Sequence, residues 1–465
     1  MTQPGGTAKR ARAHPRSPRA AATALALVLS LAPGPARSAP AAPAPPAVAA
    51  GPVRPLTLKN GAHVLLAPDA RASAVSVGLW VDAGVRYERP GMIGLSHLVE
   101  HLSARGADPG GDAELRRRIA ALGGSSASFT TDDFTCFVDA VPRAGLETVL
   151  QLETRRFSAK PTAAMLEQDR AAVRDENLAR MRLNPLERPL HELYFAAFPN
   201  HPYRFPSTGL DQDLGRLQLK DCQDYLRTRY TPDHLWVTIA GDFDPDEAQE
   251  LLRRTVESIG GKGDPRPPAL KLPESTGERR QTVPGDVPVA ILTVGWSAVP
   301  DAGDEAALEL MAGVLSGGPA SRLPRNVVGD QQACLFARAS RDRQREATLF
   351  WAAAALRPGA DSAAVEKSLI TEIERLAQEP VPGEELDRAR KQLEVALFVS
   401  RESSLDRGQA LGMAQMVAGD WQDAHRELER LRTLTPADVQ QAAARTLTAA
   451  RRTVVWLRAA PGSGQ

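Results

Sequence analysis

A chain of 465 residues, 43% hydrophobic and 24% charged, is long enough for two or more domains, each with its own core. Its 57 basic and 56 acidic side chains leave a formal net charge of +1, which excludes recognition of nucleic acid or an anionic membrane by bulk charge. Three cysteines, Cys136, Cys222 and Cys334, lie far apart among apolar neighbours; they exclude a dense disulfide framework and read as small buried hydrophobes.

In chain order, the first segment is unlike the rest. Lys9, Arg10, Arg12, Arg16 and Arg19 precede the apolar run AAATALALVLSLA, and ARSA follows with small residues at Ala36 and Ser38. That order of basic, apolar and small residues is what a signal peptidase reads, so residues 1–38 are expected to be a cleaved secretory signal. The stretch 39–52, rich in Ala and Pro, is expected to be a disordered lead-in. No cysteine precedes residue 136, so no lipid anchor is expected, and the sequence implies a periplasmic or secreted protein. Nothing later approaches the roughly 20 apolar residues that a membrane helix requires.

The mature chain opens with a strand-like run at 72–84, followed by GLSHLVEHLSARG (94–106) and by AELRRRIAALGG (113–124), a helix closed by glycine. SSASFTTDDFTCFVDAV then alternates as a strand does. A long helix is expected from Pro161 to about Arg182 and another over 217–229, before the strand-like HLWVTIAGDF. The second half repeats this order: VPVAILTVGWSAV (287–299) resembles the first strand, DEAALELMAGVLSGG (304–318) the first helix, and 434–459 mirrors 217–242. Two homologous α+β halves, 53–259 and 285–460, are the simplest explanation. The intervening 260–284, rich in Gly, Pro and charge, reads as a linker.

GLSHLVEHLSARG carries the chemistry. His97 and His101 stand at i and i+4, on one helical face, and can present imidazole nitrogens to a single point. Two neutral imidazoles suit zinc, and Glu100 is placed for acid/base work beside the metal rather than for ligation. Matching Leu102-Ser103 to Leu315-Ser316 sets Leu310, Gly313 and Val314 opposite His97, Glu100 and His101. The helix therefore folds without ligands in the second half. A third ligand is best sought in LEQDRAAVRDENLARMRLNP (166–185), where Asp169 and Glu176 are two helical turns apart on one face. Glu176 would complete the metal sphere, and Asp169 would hydrogen-bond a ligand histidine and fix its tautomer. On spacing alone the pair also reads as a solvated charged face.

H-x-x-E-H followed 75 residues later by a carboxylate-rich helix resembles the signature of the insulinase/pitrilysin family of zinc metallopeptidases. The similarity extends further. GLSHLVEHLSARG resembles the family's G-x-x-H-x-x-E-H-x-x-x-x-G, ELRRRIAALGGSSASFTTDDFTCF its G-G-x-x-N-A-x-T segment, and DRAAVRDE its E-R-x-x-V-x-x-E. HPYRFPSTG and GDFDPDEA likewise have family counterparts. The resemblance implies two homologous α/β-sandwich halves facing each other around a peptide-binding chamber. It also implies one zinc held by His97, His101 and Glu176, Glu100 as general base, Asp169 behind the ligands, and hydrolysis of peptide bonds.

Two departures bear on the activity. Ala127 stands where the family has an asparagine that helps clamp extended substrate, although strand addition through the backbone survives loss of one side chain. In the second half, SRLPRNVVGDQQACLFARAS puts Val328 and Leu335 where the resemblance would have an Arg and a Tyr for substrate and oxyanion. All five tyrosines, Tyr87, Tyr194, Tyr203, Tyr225 and Tyr230, lie in the first half. An oxyanion donor contributes about 3 kcal/mol to transition-state stabilisation, so the resemblance implies a paralogous partner subunit that supplies the pair. The alternative is a non-catalytic peptide-binding or scaffold subunit. His191, His201, His63 and His234 read as structural or surface residues, and Arg116–Arg118 as a solvated helix face.

Overall fold

The alternating apolar residues of Val75–Val81 form a strand buried along its whole length, which means that helices cover both of its faces. The computed structural model describes residues 52–272, 277–285, 287–299 and 301–459; the expected signal segment and almost all of the lead-in lie outside them. The first sheet is built from β1 (Arg54–Thr57), β2 (His63–Pro68), β3 (Val75–Val81), β4 (Ser125–Thr130), β5 (Thr135–Val141) and β6 (Leu235–Gly241). Its order is β1-β2-β6-β3-β5-β4. The second contains β7 (Arg279–Gly285), β8 (Ile291–Ala298), β9 (Cys334–Arg343), β10 (Thr348–Leu356) and β11 (Arg452–Ala459), in the order β7-β11-β8-β10-β9.

Apart from the edge strand β1, the two orders correspond strand for strand. Each sheet has one parallel pair, β2 with β6 and β7 with β11, and the neighbouring pairs are antiparallel. The repeat seen in the sequence is thus a repeat of topology. All of β7 but Gly285 falls inside the stretch read as linker, because its parallel register with β11, Thr453 opposite Arg279, gives its backbone a ladder to join.

The first half carries α1 (Leu95–Ala107), α2 (Asp112–Ala121), α3 (Leu146–Thr154), α4 (Ala163–Leu183), α5 (Glu187–Ala197), α6 (Asp211–Leu214), α7 (Leu219–Arg229) and α8 (Pro245–Arg254). The second carries α9 (Ala302–Ser316), α10 (Ser362–Gln378), α11 (Gly383–Val399), α12 (Ser404–Ala418), α13 (Asp423–Thr433) and α14 (Pro436–Thr446). Val75, Val77, Leu79 and Val81 face the core that includes Leu98, Val99 and Leu102 of α1. On the opposite face Trp80 packs with Met416, and Ser76 donates to the Ser404 carbonyl, so this face of the first sheet is covered by α12 from the second half. Reciprocally, Leu193 and Ala197 of α5 pack on Leu349, Trp351 and Val455 of the second sheet. The halves therefore exchange one helix each. A fully buried leucine such as Leu193 contributes about 2 kcal/mol of apolar burial, and here that burial joins the halves.

A polar clasp adds direction to this apolar contact. The turn between β9 and β10 brings Gln344, Arg345 and Glu346 onto the first half. Arg345 donates its backbone N–H to Asp133 at 2.8 Å and its guanidinium to Asp82 at 2.9 Å. Glu346 accepts from Arg86 Nε at 2.7 Å and from His201 Nε2 at 2.9 Å. Tyr203 donates to Asp133 at 2.6 Å, so the loop 201–209, the β4–β5 turn and the second half meet at one carboxylate. His201 accepts the Tyr203 N–H on Nδ1, which leaves the proton on Nε2 for Glu346.

Candidate metal centre

The face of α1 that carries Leu98, Val99 and Leu102 is wholly buried, and this burial fixes the direction in which His97 and His101 project. The start of the helix is secured from outside. Glu88 accepts the N–H groups of Gly94 and Ser96 at 2.8 and 2.6 Å, and Asp213 accepts that of Ile93 at 3.0 Å. These carboxylates satisfy donors that a helix N-terminus leaves free. Burial pushes the Glu88 carboxyl up to about 6 even against these donors.

α4 crosses α1 and brings Glu176 to the histidine pair. Oε2 of Glu176 lies 3.6 Å from His97 Nε2 and 3.5 Å from His101 Nε2. Among the described residues this is the group of His, Cys, Asp and Glu side chains whose donor atoms converge closely enough for a metal ion. Ligands of one tetrahedral zinc, with bonds of about 2.1 Å, sit about 3.4 Å apart, so two imidazole nitrogens and a carboxylate oxygen at these spacings fit that ion. His101 and His97 together hold the Glu176 carboxyl far below the usual range. Although burial disfavours its charge, His101 is shifted upward by Glu176 and Glu100.

The surroundings of these three side chains were only partly expected. Nδ1 of His97 lies 3.3 Å from the carbonyl oxygen of Thr208. A carbonyl only accepts, so His97 carries its proton on Nδ1 and leaves Nε2 free to ligate. The other oxygen of Glu176, Oε1, accepts from Arg180 at 2.8 Å, one turn further along α4, which aims Oε2 at the histidines. Glu100 is 5% exposed and accepts a hydrogen bond from the Thr130 hydroxyl at 2.7 Å at the end of β4.

Asp169 departs from expectation. Instead of a ligand histidine, its two oxygens accept from Arg105, at 2.6 and 3.0 Å. Two turns of α4, about 10.5 Å, separate it from Glu176, and that distance sets it beside the last turn of α1 rather than beside the imidazoles. It braces α1 against α4, and the hydrogen bond to His97 is made by the Thr208 carbonyl. Arg180, Thr208 and Thr130 were not singled out from sequence. A backbone carbonyl has no residue signature, but Arg180 was in principle visible as an i+4 partner of Glu176.

The loop that carries Thr208 is held by two glycines back to back. Gly94 has φ +105° and Gly209 φ +93°; a Cβ on Gly209 would stand 2.7 Å from Gly94 Cα. Only glycine tolerates both the dihedral and the approach. In the second half, Gly313 replaces Glu100 and its Cβ position lies 3.2 Å from Ala389 of α11, while Leu310 and Val314 are fully buried. There the corresponding space is filled by helix packing. In the first half it is occupied by His97, Glu100 and His101.

Ala127 is exposed on β4, the outermost strand of the first sheet. Val328 is partly buried against the second core, and Leu335 is 49% exposed on the edge strand β9. The three cysteines are buried and unpaired. His234 is buried, and His63 stacks on Trp236.

Fold and site together define a peptidase-type architecture, and the chain belongs to the insulinase family. The description "Insulinase (Peptidase family M16)" matches residues 63–197, and "Peptidase M16 inactive domain" matches residues 216–393. The zinc protease PqqE of Helicobacter pylori is 24% identical over 76% of this chain and 80% of its own length. The uncharacterized zinc protease YmxG of Bacillus subtilis is 23% identical over 79% of this chain and 89% of its own. The crystal structure of a protease from Helicobacter pylori superposes with a TM-score of 0.83 at 22% identity, covering 88% of this chain and all of that one.

Proposed function

We propose that this chain is a zinc-dependent endopeptidase that hydrolyses peptide bonds in short or unfolded segments. The convergence of His97, His101 and Glu176, with Glu100 buried beside them, carries the reading. His97, His101 and Glu176 would hold the zinc, which would supply Lewis acidity toward a carbonyl oxygen and toward water. Glu100 takes the proton of the attacking water and returns it to the leaving amide nitrogen. Thr130 holds the Glu100 carboxylate in place for both transfers. The free edge of β4 adds a peptide as a further strand by main-chain hydrogen bonds, for which the side chain at Ala127 is dispensable.

Val328 and Leu335 offer no side-chain donor to an oxyanion, and this supports a non-identical subunit of the same fold that supplies one. It equally favours a second reading, a peptide-binding subunit without catalysis. The retained Glu100 speaks for catalysis, because a scaffold needs neither base nor ligands. The composition of residues 1–38 supports export, and among the described residues no helix is long and apolar enough to cross a membrane.

Glu100→Gln separates the readings. Zinc content measured on purified protein stays near one per chain, while cleavage of an unfolded peptide, assayed with and without the partner subunit, falls by about 10²- to 10⁴-fold. Cleavage by the natural protein that persists in EDTA, or that is untouched by the substitution, rules out the proposal.

A further inference from the structure

Two arginine pairs in the second half stand at the same end of neighbouring parallel strands: Arg279-Arg280 begins β7, and Arg451-Arg452 joins a short 3-10 turn to the start of β11. Side chains alternate across a strand, so Arg279 and Arg280 take opposite faces. On the α10 face, Arg280 pairs with Glu278 and Glu366, and Arg452 with Glu278 and Glu374. Their sequence neighbours Arg279 and Arg451 turn the other way, toward the first half, where both line a cavity of about 830 Å³.

This cavity lies between the sheets, bounded by Trp236 of β6, Ser297 of β8 and Met416 of α12. Among the described residues, six cationic side chains, Arg86, Arg266, Lys271, Arg279, Arg345 and Arg451, line it beside one carboxylate, Glu346. Glu346 is already taken by Arg86 and His201, while Arg345 and Arg266 are paired with Asp82. Arg279, Arg451 and Lys271 have no ion-pair partner among the described residues. Arg279 and Arg451 are both half-buried, and half-buried guanidinium groups that share one cavity repel each other unless an anion stands between them.

We propose that this cavity is a binding site for a small polyanion carrying carboxylate or phosphate groups, held between Arg279 and Arg451 with Lys271 at the linker side. The volume is that of a small-molecule site, and planar guanidinium forks bind either oxyanion in bidentate fashion. Because the walls come from both halves and from the segment joining them, an occupant stabilises their association. The site is distinct from the metal centre and does not depend on peptidase activity.

The test is thermal unfolding of the full zinc-loaded chain titrated with succinate and, separately, inorganic phosphate. Ionic strength is held constant with sodium chloride and zinc content is checked after each titration. A saturable rise in Tm is expected with at least one anion, with apparent affinity about tenfold or more weaker in Arg279→Ala/Arg451→Ala. Arg280→Ala, on the opposite face, keeps the response and controls for loss of a strand-end charge. Saturation with succinate alone identifies a carboxylate ligand, and with phosphate alone a phosphoryl ligand. The proposal is overturned if neither anion acts beyond the chloride control, or if the double variant responds as the natural chain does.

Discussion

The hydroxyl of Thr130 donates to Oε2 of Glu100 across 2.7 Å, joining the end of an edge strand to the base of the candidate active site. The same hydroxyl lies 3.0 Å from that of Thr135 on the adjoining strand, which donates in turn to the Ala83 carbonyl. Thr130→Val keeps shape and β propensity but removes the donor. Peptide hydrolysis should fall about 10- to 100-fold in kcat, the usual cost of losing a group that orients a site, with zinc content unchanged. Thr130→Ser should recover most of the rate. Equal losses in the Val and Ser variants would mean that methyl packing, not the hydrogen bond, matters at this position.

Asp169 and Arg105 give the opposite pattern. Their bidentate pair is partly buried and spans α1 and α4, so Asp169→Asn should destabilise the fold by about 1–3 kcal/mol, the cost of unpairing a buried charge. Urea unfolding reads this directly. Zinc affinity should change little, because neither histidine relies on Asp169 for its tautomer. A loss of metal affinity without loss of stability would restore the role inferred from spacing.

What could be read from the sequence, and what could not, follows from how each feature is encoded. The pairing of His97 with His101 was legible because i and i+4 share a helical face, whereas Glu176, on another helix, was picked out by resemblance to a family motif; the structure brings the three side chains together. The repeat was legible because strand and helix order recur, and strand order confirms it. The exchange of α5 and α12 was not: amphipathic patterning says that a face is buried, not which sheet buries it. Asp169 was misplaced because a shared helical face was taken to imply a shared contact, whereas its nearest groove neighbour on α1 is Arg105. Thr208 ligates nothing and acts through a carbonyl, 111 residues from His97, so no pattern of side chains could announce it.

The clasp between the halves predicts a pH dependence. Burial opposes the charge on Glu346, yet His201 and Arg86 hold its carboxyl down to about 2, from an ordinary 4.5. A carboxyl lowered on folding stabilises the native state above the unfolded value and loses that contribution as pH falls toward the folded one. The natural chain should therefore lose on the order of 3 kcal/mol between about pH 5 and pH 2 through this group. Glu346→Gln should be less stable at neutral pH and flatter across that window. Urea midpoints measured for both proteins in EDTA, so that metal release does not contribute, give the difference; parallel curves would remove Glu346 from the account.

Gly209→Ala tests whether the loop 201–209 holds the metal site in shape. The new Cβ must adopt φ +93° and approach Gly94 Cα to 2.7 Å, and its two nearest neighbours, Gly94 Cα and the Ile93 carbonyl oxygen, are backbone atoms that cannot swing aside. Strain of this kind costs about 1–3 kcal/mol, which should appear as a lower unfolding midpoint. The loop can relieve it by retreating from α1, and the Thr208 carbonyl would move away from His97 Nδ1 with it. Zinc affinity should then drop about 10- to 100-fold, measured by competition with a chromogenic chelator. Gly91→Ala is the control, since its φ is also positive but nothing lies within 4 Å of its Cβ position. It should show the dihedral strain without the loss of metal. If both variants bind zinc as the natural chain does, His97 keeps its orientation without Thr208, and the packing of α1 alone must suffice to set it.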